Sequence, residues 1–359
     1  MLKLVFCTAI KNRLHHLKQT LPVNISQNNS SHVQFLILDY NSNDGLGEWI
    51  KQEMGRYIAS GQLVYFRTDE PVFFHRSHSR NMAFKLADGD LVCNVDADNF
   101  TGDNFFNFLT AKFNHKKIFV APNASAQSDF LGRVCCRKSD FEAIGGYDER
   151  MGGYGFEDLD FQSRLALAGL KKVEISDDTY LKGITHGNDE RIVNEQLLHS
   201  LQNAYLAYLT PSKTDIVLLF KNGTAETGRL INCRTTDSDK YQFALNPRHY
   251  EYFTELGKPY WIKAEWTRSA SELSLTFQEK GLSEKVFKWN SNHILIAGNK
   301  RYFEVTDSES LTALLLLHSQ LSNRYLMKEN KKKGKQLSPM SFGSGTVFKN
   351  FSDQPVHIN

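Results

Sequence analysis

Four Asp-x-Asp pairs fall along the chain, at 88/90, 96/98, 158/160 and 237/239. With 21 aspartates in 359 residues about one such pair arises by chance, so context must select among the four. Asp96-Ala97-Asp98 stands apart because it follows the apolar run Leu91–Val95 directly. Two carboxylates flanking one residue, just past a buried strand, can bind a divalent cation that neutralises a leaving diphosphate. Asp39 closes a second apolar run, Val33–Leu38. There a carboxylate can accept hydrogen bonds from a base N–H or a ribose hydroxyl, or open an Asx turn into Asn41-Ser-Asn-Asp-Gly45.

The segment Gly145 to Asp160 concentrates the most chemistry. Five glycines in eleven residues (145–155) require tight turns or close approach of the backbone to something. Glu157 and Asp158 open the helix that follows, where the helix dipole favours acids whatever else they do. The functional alternative makes one of them a general base, with Tyr154 as a platform for a sugar ring. His186 lies between small and polar residues in Gly183-Ile-Thr-His-Gly-Asn188, as a metal ligand or as a purely structural imidazole.

The elements that would position these groups alternate over the first 185 residues or so. Apolar runs at 2–10, 33–38, 63–67 and 91–95 read as strands, and 11–21, 46–59 and 77–87 as helices. That spacing implies βαβ units and a mostly parallel α/β sheet, whose ligands bind outside the carboxyl ends of the strands. Residues 192–209 read as one more helix, and Pro211-Ser-Lys as a boundary. Beyond it, runs at 216–221, 229–234, 261–268, 272–279 and 285–289 predict strands, with Asn222-Gly223 as a hairpin turn. The reading is of two domains, 1–210 and a smaller β-rich accessory part over 211–359 with a helix near 307–328. Trp261, Trp266 and Trp289 serve its core or a sugar-stacking face. The basic run Lys328–Lys335 is a solvated face or linker, with membrane-surface contact as the other reading, and the β-rich part as a whole is an acceptor-binding module, an oligomerisation surface or a docking piece for a synthase complex.

Composition narrows the classes. Lys+Arg 43 against Asp+Glu 40 is too balanced for nucleic-acid binding by bulk charge. No apolar run approaches the ~18 residues of a membrane span. Five cysteines without CxxC or zinc-like spacing argue against a disulfide framework. The start of the chain lacks a signal-peptide pattern, so a cytoplasmic protein, at most at the inner face of the membrane, is expected.

In this order, the residues resemble the nucleotide-sugar glycosyltransferases of GT-A fold. The N-terminal part is similar to the family 2 type that includes bacterial polysaccharide synthases. Residues 145–170 are similar to a motif shared by β-1,4-galactosyltransferases, chondroitin-polymerase-type enzymes and polypeptide N-acetylgalactosaminyltransferases. The resemblance rests on Thr8-Ala9 through Arg13, Asp39 to Gly45, Ser79-Arg-Asn81, Asp96-Ala-Asp98, Gly146-Tyr-Asp-Glu149, Gly153-Tyr-Gly-Phe-Glu-Asp-Leu-Asp160 and His186, and covers roughly residues 1–205. It implies a Rossmann-like sheet flanked by helices and a Mn²⁺ (or Mg²⁺) ion held by Asp98 and His186. It further implies a nucleotide pocket of Thr8, Ala9 and Arg13 with Asp39 on the uracil, and Arg80 and Asp96 near the donor's phosphates, ribose or sugar. Tyr154 and Glu157 would face the acceptor and Asp158 would act as base, with Glu157 as the other half of the acidic pair. The implied reaction moves a hexose or N-acetylhexosamine from a UDP-sugar to a glycan hydroxyl with inversion, in polysaccharide or glycoconjugate synthesis. A retaining transferase and a non-catalytic glycan-binding protein are the alternatives. Two departures stand out: Phe156 replaces a usual Gly before the acidic pair, and Tyr40 replaces an acid after Asp39.

Overall fold

The computed structural model describes residues 2–114, 117–123, 130–232, 254–258, 260–279, 281–334 and 342–359. The chain forms two compact units, Met1–Glu195 with Leu326–Asn359, and Gln196–Tyr325.

In the first unit the elements run β1 (Leu4–Ile10), α1 (Leu14–Gln27), β2 (Val33–Tyr40), α2 (Leu46–Glu53), α3 (Gly55–Ala59), β3 (Leu63–Thr68), α4 (Arg76–Leu86) and β4 (Leu91–Asn94). They continue as β5 (Asn99–Phe100), α5 (Phe105–Lys112), β6 (Ile118–Pro122), β7 (Cys135–Arg137), α6 (Lys138–Ala143), α7 (Glu157–Leu167), β8 (Lys171–Ile175), β9 (Lys182–Gly183) and α8 (Asn188–Ile192). Strands β3, β2, β1 and β4 are parallel neighbours, as the alternating pattern predicts. On the far side β7 lies antiparallel to both β4 and β6, so the sheet is mixed. Successive residues of β1 serve opposite faces: Leu4 and Phe6 join one apolar cluster, Val5 and Cys7 the other. A sheet buried on both faces explains why its strands read as continuous apolar runs. The four described cysteines are buried free thiols; Cys233 lies outside the described residues.

The second unit holds α9 (Gln196–Ser200), β10 (Leu201–Thr210), β11 (Lys213–Phe220), β12 (Thr224–Asn232), β13 (Thr254–Leu256), β14 (Ile262–Arg268), β15 (Glu272–Phe277), β16 (Ser283–Ser291), β17 (Ile294–Ala297) and β18 (Lys300–Glu304). All pairings are antiparallel, and β10, β11, β12, β14, β15, β16, β17 and β18 close on one another through β10–β18. Closure makes this a β-barrel, with Tyr205, Val217, Leu219, Leu273, Leu275, Phe287, Leu295 and Tyr302 inside. A β-rich part was expected; a closed barrel was not. The Asn222-Gly223 hairpin joins β11 to β12, with Gly223 at φ +83°. Trp261 is buried against Gly228, where an added Cβ would stand 2.4 Å from its ring. Trp266 donates from Nε1 to the Phe220 carbonyl at 2.9 Å, and Trp289 lies under the Arg268 guanidinium at 4.4 Å.

Four expectations need correction. The helix expected over 192–209 is a short α9 followed by strand β10. Its Leu, Ala and Tyr residues satisfy a helical spacing, but the neighbouring strands β11 and β18 claim them. The expected boundary after residue 210 therefore falls after β10, inside the barrel. Third, the C-terminal stretch is not wholly accessory. The helix α10 (Ser308–Lys333) includes the predicted 307–328 segment, and the hairpin β19 (Gly345–Lys349) and β20 (Pro355–Ile358) extends the first sheet, antiparallel to β3. The predicted helix over 46–59 is broken at Met54 into α2 and α3, while α1 continues past Pro22. Among the described residues no helix is long and apolar enough to cross a membrane.

Candidate active site

The candidate residues gather at the carboxyl ends of β1, β2 and β4. Asp98 and His186, 88 positions apart, meet because the two-residue ladder β5–β9 pairs Asn99 with Gly183, and the Ile184 amide donates to the Asp98 carbonyl at 2.8 Å. His186 Nε2 then lies 2.8 Å from Asp98 Oδ2, while its Nδ1 faces the Gly187 carbonyl at 3.1 Å. With an acceptor at each ring nitrogen, the Asp98 hydrogen bond above all raises the His186 pKa. Burial pushes Asp98 upward, but the His186 hydrogen bond and charge outweigh it and hold Asp98 below the usual range.

Asp96 serves a second cluster. Arg80, buried on α4, donates from Nη2 to Asp96 Oδ1 at 3.2 Å. Its Nη1 donates to Asp158 Oδ1 at 2.8 Å and Glu157 Oε1 at 3.1 Å. Asn94 Nδ2 also donates to Asp96 Oδ1, at 2.9 Å. One guanidinium thus faces three carboxylates. Burial alone would lower its pKa, yet Asp158, Asp96 and Glu157 hold it well above the ordinary value. Asp158 moves the other way: burial, with Glu157 and Asp96 adding to it against Arg80, pushes it up to about 8. Glu157 keeps its second oxygen, Oε2, buried without a hydrogen-bond partner. The clusters around Asp96 and Asp98 are two residues apart, which a chain spans in at most about 7 Å. Gly132 borders the first: a Cβ there would meet Arg80 Nη2 at 3.0 Å and both Asp158 Oδ2 and Asp96 Oδ2 at 3.1 Å.

The glycine-rich loop before α7 is tied down from α4. His75 Nε2 lies 3.0 Å from the Glu149 carbonyl, Ser77 Oγ donates to that of Met151 at 3.4 Å, and Arg76 Nη1 to that of Gly153 at 3.1 Å. Arg76 also pairs with Glu195. Tyr154 carries the Arg76 guanidinium 4.9 Å from its ring centroid and that of Arg191 at 5.2 Å, so its ring already engages two cations. Phe156 caps α7 at φ +71°, a region that favours glycine, where the resemblance expects one. Phe156→Gly is expected to relieve roughly 1–2 kcal/mol of left-handed strain against about 0.5–1 kcal/mol of added chain entropy. The variant should therefore unfold at slightly higher urea concentration; a lower midpoint would mean that ring packing outweighs the strain.

The remaining residues take these positions. Thr8 Oγ1 donates to the Val95 carbonyl at 2.7 Å, Ala9 is half-buried beside it, and Arg13 pairs with Glu190. Asp39 is fully buried, accepting from the Ser42 amide at 2.8 Å and the Tyr65 hydroxyl at 2.7 Å. The Ser42 bond ties Asp39 to the loop that follows β2. Burial raises its pKa against those two hydrogen bonds. Tyr40 bonds His78 Nδ1 at 2.7 Å. Sequence reasoning missed Arg76, Asn94 and Gly132. Their roles arise from which elements meet, and no local signal announces them.

Asp98 and His186 also fit a cation by the chemistry of their donors. Bonds of about 2.1 Å at right angles place two ligand atoms about 3 Å apart, near the separation seen here.

Residues 6–133 match the family model described as glycosyl transferase family 2, and residues 120–186 match the model described as N-terminal domain of galactosyltransferase. No curated protein matches the chain. A mannosyltransferase from Pyrobaculum calidifontis, solved with GDP-Man and Mn²⁺, is 16% identical over 49% of this chain and 55% of its own, with TM-score 0.42. S. aureus TarS (1–349) is 17% identical over 49% of this chain and 58% of its own, at 0.39. Drosophila β-1,4-galactosyltransferase 7, solved with manganese, UDP-Gal and xylobiose, is 15% identical over 55% and 75%, at 0.39. The chain thus spans little more than half of the first two.

Proposed function

We propose that this chain, whose N-terminal unit is a glycosyltransferase domain, transfers a hexose or N-acetylhexosamine from a UDP-sugar to a glycan hydroxyl by one inverting displacement. The observation that carries the reading is the meeting of Asp98 with His186 two residues from the Arg80–Asp96–Glu157–Asp158 cluster. Asp98 and His186 would hold Mn²⁺ or Mg²⁺, an imidazole in the set favouring Mn²⁺. The bound ion would supply the charge that neutralises the departing diphosphate. Thr8, Ala9 and Arg13 line the nucleotide side, with Asp39 shaping the turn beneath the uracil. Arg80 and Asp96 orient the donor sugar and ribose, and Glu157 and Tyr154 face the acceptor. Asp158 accepts the proton of the attacking hydroxyl, so that the new bond forms opposite the leaving group. Such a reaction belongs to polysaccharide or glycoconjugate synthesis.

Two measurements test the proposal. UDP binding by calorimetry, with Mn²⁺ and with chelator, is expected to depend on the metal in the native chain. In Asp98→Asn that metal-dependent gain should vanish, a loss exceeding the roughly 10–100-fold that outer-shell partners cost. Proton NMR of the product should show the anomeric centre inverted relative to the donor. A donor affinity equally metal-dependent in Asp98→Asn would refute the ion assignment, and a retained configuration would refute the single displacement.

A further inference from the structure

A second group of ligating side chains sits beside the first. His15 and His16 are consecutive on the first turn of α1, where neighbouring residues diverge by about 100° around the axis. Here they converge: their ring centroids are 4.1 Å apart, and both Nε2 atoms face the same oxygen of Glu190 on α8, at 3.5 Å and 3.9 Å. The three ligand atoms all lie within 4.8 Å of one another. Around a tetrahedral ion with bonds of about 2.0–2.1 Å, ligand atoms stand about 3.3–3.4 Å apart, so a small side-chain rotation completes the set. The His16 side chain is 5% exposed and that of His15 60%, giving one fixed ligand and one open to solvent, and hence an entry path. The His16 and His186 rings are 5.6 Å apart by centroid, but the two groups share no ligand.

We infer that His15, His16 and Glu190 form a second divalent-cation site, of the two-imidazole, one-carboxylate type that takes Zn²⁺ or Co²⁺ and leaves an open position. One group competes with the ion. Arg13 Nη1 pairs with the same Glu190 oxygen, so a cation must displace that guanidinium. The displaced Arg13 is then available on the nucleotide side, which couples occupancy of this site to the donor pocket. The site itself stands on its own ligands and does not depend on the role given to Asp98.

Co²⁺ serves as the probe, with bound metal counted after equilibrium dialysis and ligand-field absorption reporting the coordination. The full chain is expected to take up two ions, and Asp98→Asn/His186→Ala to keep one. His15→Ala/Glu190→Gln should weaken that retained ion by more than the roughly 10–100-fold typical of outer-shell changes. Arg13→Gln, which removes the competitor, should tighten it. Both His15 and Glu190 are partly solvated, and circular dichroism checks the fold of each variant. Uptake of a single ion that is lost in Asp98→Asn/His186→Ala and untouched by His15→Ala/Glu190→Gln would overturn the inference while sparing the Asp98 reading. The reverse pattern would uphold it and overturn that reading instead. Weaker Co²⁺ binding in Arg13→Gln would also count against it.

Discussion

Asp158→Asn is expected to lower turnover by about 10²–10⁴-fold, the range for removal of a general base, while UDP affinity in Mn²⁺ stays near the native value. The amide keeps the shape of the side chain and loses the capacity to take a proton. The native carboxylate is suited to that task by its surroundings. Burial, reinforced by Glu157 and Asp96, pushes it up to about 8 against the pull of Arg80. A base titrating near working pH combines a sizeable ionised fraction with useful proton affinity. The sign of the pH dependence follows. Only the carboxylate can accept the acceptor's proton, so kcat/KM in the native enzyme should rise with pH and level off above about 8. That limb should be missing from the residual activity of the variant. Stability runs in the opposite sense. A carboxyl whose folded pKa lies above its unfolded value of about 3.9 binds more protons when folded, so the contribution of Asp158 to stability falls as pH rises from about 4 to about 8. Urea unfolding of the metal-free protein at several pH values should show the native chain losing stability relative to Asp158→Asn over that range. Full turnover with unchanged donor affinity would move the base elsewhere.

How much of this was legible in the sequence depends on the range of the interactions involved. Buried parallel strands are apolar on both faces, so β1 to β4 announce themselves as runs, and Asp39 and Asp96 are placed at strand ends by counting alone. The acids at the start of α7 were legible for a local reason, their favourable place at a helix N-terminus. What remained hidden is non-local. Closure of the barrel depends on β10 finding β18 nearly a hundred residues later, and nothing in either segment specifies the partner. The return of β19 to pair with β3 crosses most of the chain, with Phe348 beside Arg67. Asp98 and His186 are ordinary residues in their own segments, and only the β5–β9 ladder makes them neighbours. Phe156 is the instructive local case. The sequence marks it as a departure from an expected glycine; in the fold its backbone occupies the region glycine favours.

Arg80→Met is expected to cost about 3–5 kcal/mol of stability near pH 8, the range for removing one partner of a buried ion pair. The guanidinium is the shared donor to Asp96, Glu157 and Asp158, whose side chains are 33%, 5% and 13% exposed. Without it, like charges face one another where water reaches them poorly, and each carboxylate loses a charge-assisted hydrogen bond. Arg80→Lys should recover part of the loss only, since a single ammonium cannot fork towards three acceptors lying on two nitrogens. Protonation of Asp158, whose carboxyl burial holds above the usual range, removes one of the facing negative charges, so the gap between the variant and the native chain should narrow as pH falls towards 5. Urea midpoints for both variants at pH 5 and pH 8 measure this directly. A gap of the same size at the two pH values would mean that lost packing, and not lost charge, sets the cost. A negligible gap at both would mean that the three carboxylates turn outward to water once the guanidinium is gone, and that the charge balance of the pocket does not rest on Arg80.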